Sequence, residues 1–330
     1  MNKLMSFAAL ALLQQIALAP SALAQASAAQ AAGKTKPSPL APSEIVAAAP
    51  KADWTAIAPS DLLVMDLAPD AKGKPRRVVI QLMPPPFSVG WIGNIRTLAK
   101  AHWWDGLSIN RVQDNYVVQW GDANADDKVK ARALPAGLAT VPESQYVSKL
   151  RPIRKGNRRP GSTKNILQKR NSIDPYRNTF FGLGWPFGGA NYAMWPVHCY
   201  GMVGVGRDLS PNTGSGAELY TVIGHAPRHL DRNIALVGRV IEGIELLSSL
   251  PRGTGGLGFY ENAEERTAIV SIKPATEVTG LPGYEYLSTE SASFARYADA
   301  RANRRDAFFI RPAGGADICN IPVPVRRVKG

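Results

Sequence analysis

Histidine and cysteine are scarce in this chain, at four and two among 330 residues, and where they fall excludes more than their number does. His102, His198, His225 and His229 show no zinc-ligand spacing. No Gly-x-Ser-x-Gly elbow occurs, so hydrolase chemistry built on that strained turn has no footing. Beyond the N-terminus no apolar run reaches the about twenty residues needed to cross a bilayer. No internal repeat is visible. Acidic side chains are also few, 26 against 39 basic ones, which leaves a net charge of +13. Two motifs that look like ligand sites fail on context. Gly253-Thr254-Gly255-Gly256-Leu257-Gly258 has the glycine spacing of a dinucleotide loop, but it follows a predicted helix and precedes a strand, the reverse of what that site requires. Asp122, Asn124 and Asp126 are spaced like calcium ligands without the following glycine or the closing glutamate, and read as a polar turn. The sequence therefore implies no metal and no cofactor.

The N-terminus is informative. Lys3, the apolar stretch Phe7 to Ala19, and Ala22-Leu23-Ala24 before Gln25 have the charge, length and cleavage pattern of a secretory signal; Gln14, Gln15 and Pro20 interrupt it too early for an anchor. Residues 1–24 are expected to direct export, most simply to the periplasm, although release to the medium fits as well. Residues 25–55 hold mostly Ala, Pro, Ser, Gly and Lys. With so few large apolar side chains they are expected to form a flexible leader. In an oxidising compartment Cys199 and Cys319 either close a long loop as a disulfide or stay as two separate buried thiols, and spacing leaves both open.

Positive charge is concentrated. Lys149, Arg151, Arg154, Lys155, Arg158, Arg159, Lys164, Lys169, Arg170 and Arg177 share a stretch whose one acid is Asp174. Such a block is either a solvated loop or a foot for an anionic surface such as envelope lipid, with residues 149–170 as the contact. It lacks the interleaved aromatics that stack on bases, so nucleic acid is not expected as a partner.

Period-2 patterning predicts strands at Leu62 to Leu67, Arg77 to Leu82, Leu107 to Val112, Tyr116 to Trp120, Gly201 to Val205, Glu218 to Ile223, Ala235 to Val240 and Arg266 to Lys273. Between Ser88 and Ala101 the apolar residues Ile92, Ile95, Leu98 and Ala99 fall three and four apart, a short amphipathic helix with Ser88 as cap. A second helix fits Gly243 to Leu250, and a third Thr289 to Arg304 in a tail. From about 127 to 190 the chain turns basic and rich in Gly and Pro, and long loops are expected. Many short strands with helices early and late suggest a closed antiparallel barrel, because closure removes exposed edges.

Four stretches together resemble one known family, the cyclophilin-type peptidyl-prolyl isomerases. The first runs Asn94-Ile95-Arg96-Thr97-Leu98 to Trp103-Trp104-Asp105-Gly106. The second is Ile109-Asn110-Arg111-Val112 with Tyr116-Val117-Val118-Gln119-Trp120-Gly121-Asp122, similar to Phe-His-Arg-Val and Phe-Met-x-Gln-x-Gly-Asp. The third is Gly201 to Arg207. The fourth joins Glu218-Leu219-Tyr220-Thr221-Val222, His229-Leu230-Asp231 and Val237 to Gly243. The resemblance implies an eight-stranded antiparallel barrel over 56–275, flanked by two helices, carrying an insertion at about 127–190 and a C-terminal extension, 276–330. It implies isomerisation of bonds preceding proline in polypeptide clients. A monomer is expected.

That chemistry needs no nucleophile. The amide resists rotation with a barrier of about 18–20 kcal/mol, and in the twisted transition state its nitrogen becomes a better acceptor. An apolar socket for the proline ring and a fixed donor that favours the twisted amide are sufficient. Arg111 is the candidate donor, since a guanidinium stays charged and presents a rigid fork of N–H groups. The resemblance assigns Gln119 to orienting it, and Tyr116, Val117, Tyr220 and Leu230 to the socket, with Gly206, Glu218 and His229 at the rim. Alternation along Tyr116 to Trp120 sends Tyr116 and Gln119 to opposite faces, so a shared site must draw on a bend in this strand or on the sheet's edge. This chain departs from the family at Asn110 for histidine, Glu218 for glutamine, Gly206 for alanine, His229 for tryptophan and Ile234 for histidine. The departures imply reduced or retuned activity; a catalytically weak binding or chaperone module for proline-containing segments is the alternative.

Overall fold

The computed structural model describes residues 39–149, 176, 178–190 and 192–328. The signal expected at 1–24 and most of the basic stretch 149–170 lie outside the described residues.

Order begins earlier than the composition of the leader implies. Pro42–Ala47 forms helix α1, with Glu44 reaching back to the amide of Ala41 at 2.6 Å, and Trp54–Ile57 forms strand β1. Ile45 and Trp54 are the reason: both are buried, and they tie residues 42–57 to the folded body. The flexible-leader reading is thus corrected from residue 42 onward.

Strands β2 (Leu62–Leu67) and β3 (Arg76–Leu82) pair antiparallel across the expected turn. Helix α2 follows at Val89–Lys100, laying Trp91, Ile95 and Leu98 into the core. Ser88 precedes it in a left-handed conformation and does not cap it; its hydroxyl donates to the Leu236 carbonyl at 2.7 Å instead. Strands β4 (Ser108–Val112) and β5 (Val117–Gly121) come next.

The insertion is not all loop. Ser148–Lys149 (β6), Asn178–Gly182 (β7), Trp185–Ala190 (β8) and Ala193–Pro196 (β9) make a four-stranded sheet in the order β6-β9-β8-β7. Its glycines and prolines suggested loops, but Trp185, Phe187 and Trp195 are buried and supply the apolar face that a sheet requires.

Strands β10 (Met202–Val205), β11 (Leu219–Val222) and β12 (Leu236–Glu242), the short helix α3 (Ile244–Ser248) and strand β13 (Thr267–Pro274) complete the barrel. It closes in the order β10-β11-β5-β4-β13-β2-β3-β12. Inside lie Met65, Ile80, Ile109, Val118, Trp120 and Ile272. Burying an aromatic as large as Trp120, about 150–250 Å², is worth about 4–6 kcal/mol before entropy is charged.

The extension holds strand β14 (Tyr284–Leu287), helix α4 (Ala292–Ala302) and strand β15 (Val325–Arg327). β14 sits between β1 and β15, and α4 packs on α1, so there are two helices beyond the expected flanking pair. A disulfide joins Cys199 to Cys319, which settles the alternative left open above.

Candidate active site

The β4–β5 pair builds the site. Between Ile109 and Arg111 the register slips, so that Arg111 stands opposite Gln119. A bulge of this kind re-aims a side chain. It turns Arg111 outward, while Ile109 and Val112 remain in the barrel core. Along β5, Val118 and Trp120 point inward and Val117 and Gln119 outward. Tyr116 escapes the parity conflict because it precedes the strand, in a turn where Asn115 takes a left-handed φ of 50°. Its ring joins Val117, Tyr220, Val222, Leu230 and Ile234 in an outer apolar cluster.

Arg111 is fixed along its edges. Its Nε donates to the Leu257 carbonyl at 2.7 Å and its Nη1 to Gln119 Oε1 at 3.1 Å, and its Nη2 donates to the Gln113 side chain. Its carbon lies 5.6 Å from the Tyr116 ring centre and 5.2 Å from that of Phe259. Burial lowers the guanidinium's proton affinity, opposed by Tyr116 and Glu218. Gln119 in turn donates to Glu218 Oε1 at 2.7 Å, and burial pushes the Glu218 carboxyl above its ordinary value despite that bond.

Eight of the nine expected residues, Arg111, Tyr116, Val117, Gln119, Gly206, Glu218, Tyr220 and Leu230, line one cavity of about 900 Å³. His229 does not line it. It is exposed and stacks on Tyr116, with ring centres 6.4 Å apart. A Cβ on Gly206 would lie 2.8 Å from Glu218 Cγ, so an alanine there would require the Glu218 side chain to shift.

Sequence reasoning missed Gln113, Leu257 and Phe259. The run Gly253 to Gly258, which fails as a nucleotide loop, is the segment that folds onto Arg111: the Gly253 amide donates to the Val112 carbonyl at 2.9 Å, and Phe259 bridges to Arg111. The only available signal was that unexplained cluster of glycines. Among the described residues no group of His, Cys, Asp and Glu is arranged to hold a metal, and no helix is long and apolar enough to cross a membrane.

A closed eight-stranded barrel with an arginine-and-aromatic groove on its outer wall defines a class, and comparison with known proteins agrees. The chain belongs to the cyclophilin type peptidyl-prolyl cis-trans isomerase/CLD family, whose model matches residues 89–274, and it isomerises bonds preceding proline. The crystal structure of cyclophilin AquaCyp293 from Hirschia baltica is similar in fold, with a TM-score of 0.61 and 20% identity over 84% of this chain and 95% of that one. A cyclophilin type isomerase from Cryptosporidium parvum also matches, at a TM-score of 0.37 and 10% identity over 64% of this chain and 96% of that one, too remote to add to the argument. No curated protein matches the sequence.

Proposed function

We propose that isomerisation is carried by Arg111, acting on a proline ring seated among Tyr116, Val117, Tyr220 and Leu230. One observation supports this above all: the guanidinium and the apolar cluster open on the same cavity. A planar prolyl amide gains little from Arg111. As the bond twists, the nitrogen lone pair localises and becomes the better acceptor, so the fixed donor binds the transition state more strongly than the ground state. Gln119 holds one edge of the guanidinium while the Leu257 carbonyl holds another, so reorientation costs little during the reaction.

In a protease-coupled assay on a prolyl peptide, Arg111→Ala is expected to lower kcat/KM by about a hundredfold or more. Equal rates in the variant and the parent would remove Arg111 from the reaction. Equal background rates in both would instead favour a module that only binds proline segments.

The clients we propose are exported polypeptides met in the periplasm by a monomer; the signal-like residues 1–24 motivate the location. The basic residues 149–170 supply a contact with anionic envelope lipid. Deleting them should abolish salt-sensitive sedimentation with anionic vesicles, and sedimentation indifferent to salt would end that idea.

A further inference from the structure

Behind the socket, away from the cavity, runs a buried polar chain that the reaction as described does not use. The Tyr220 hydroxyl lies 2.9 Å from His198 Nε2, and His198 Nδ1 lies 2.7 Å from Asp231 Oδ1. His198 and the Asp231 side chain are almost wholly buried, at 1% and 0% exposure. The same Oδ1 also accepts from the His198 amide at 2.8 Å. The other oxygen, Oδ2, accepts from Tyr176 Oη at 2.7 Å and from Arg228 Nε at 3.1 Å. Since a carboxylate oxygen faces Nδ1, that nitrogen carries the ring proton and Nε2 is left to accept from the phenol. The chain therefore has one direction, from Tyr220 through His198 to Asp231.

We infer that His198, oriented by Asp231, is a positioning residue that pins the Tyr220 ring as a wall of the proline socket. The inference rests on Tyr220 lining that socket. Geometry makes the pin necessary. The phenol oxygen lies over Gly204, the register partner of Tyr220 on β10, where a Cβ would stand 2.3 Å from it, so the ring lies flat across the face of β10. Without an acceptor at that depth the hydroxyl would be buried unpaired, and the ring would swing out toward water and into the space meant for proline. Asp231 follows Leu230 directly, so the residue that orients His198 adjoins another residue of the socket. Tyr176 belongs to the insertion, and Arg228 also bonds Asp317 of the tail at 3.2 Å, so segments outside the barrel brace the same wall.

Steady-state isomerisation kinetics on protein titrated for active sites test this. His198→Ala and His198→Asn are expected to raise KM about tenfold with kcat within about twofold, because binding is weakened equally for planar and twisted amides. His198→Gln offers a carbonyl where Nε2 stood and should restore KM to within about threefold of the parent. A purely structural role would lower the active fraction in all three variants and leave KM alone. In a Tyr220→Phe background His198→Ala should change KM no further. An unchanged KM in His198→Ala, or effects of His198→Ala and Tyr220→Phe that simply multiply, would overturn the inference. Tyr220→Ala separates the two layers: if even that leaves KM unchanged, Tyr220 is not in the socket, and the reading of the site falls with the inference.

Discussion

At the scale of single residues, this site differs from its family in charge as well as in shape. Glu218 brings a carboxyl into contact with Gln119, the residue that holds Arg111. Its folded-state pKa is raised by burial, so the protonated form favours folding. That contribution is fully present below the unfolded value and is lost as pH rises through the folded one. Glu218→Gln cannot titrate and can still accept from Gln119. Its stability advantage over the parent is expected to be small near about pH 4 and to grow toward neutrality, measured as paired urea midpoints across pH; a gap that shrinks with rising pH would contradict the assignment. Residue identities were the most legible part of the sequence, because Arg111, Gln119 and Tyr220 sit in short motifs. Gln113 and Phe259 were not legible, since they reach Arg111 through a turn and a distant loop that no local pattern encodes.

Among the elements, the eight barrel strands fell within a residue or two of where alternation placed them, and α2 where its three-and-four spacing did. Elements whose burial depends on partners far away were read as loop or leader. Ile45 and Trp54 are too isolated in sequence to announce α1 and β1, yet each finds an apolar surface supplied by the rest of the fold. The insertion sheet is clamped to the barrel in the same long-range manner. From β12, Arg239 donates to Gln81 Oε1 at 2.9 Å and to the Gly184 carbonyl at 2.8 Å, and its carbon lies 4.3 Å from the Trp185 ring centre. Its Nη2 is buried without a partner among the described residues, and burial lowers its proton affinity. Arg239→Ala leaves a void and unpaired acceptors and should cost about 2–4 kcal/mol in urea unfolding. Arg239→Met fills the void and sheds the buried cation, so its loss should be smaller. The opposite ranking would show that charge, not packing, secures the clamp.

At the scale of the described molecule, the barrel is tied to segments that precede and follow it in sequence. The Cys199–Cys319 bond spans 120 residues of sequence, and in the chain-entropy account a loop of that size stabilises by about 4–5 kcal/mol. Reductant should therefore lower the parent's urea midpoint and leave that of a Cys199→Ser, Cys319→Ser double variant unmoved; equal midpoints in parent and variant would mean the bond contributes nothing. A second tie is the sheet in which β14 separates β1 from β15. A sheet opened at Trp54 is thus completed only by residues as late as Arg327. Synthesis delivers β1 first, and the edge that pairs with β14 stays bare until Tyr284–Leu287 have emerged. The later strand is the latch that covers one edge of the earlier one.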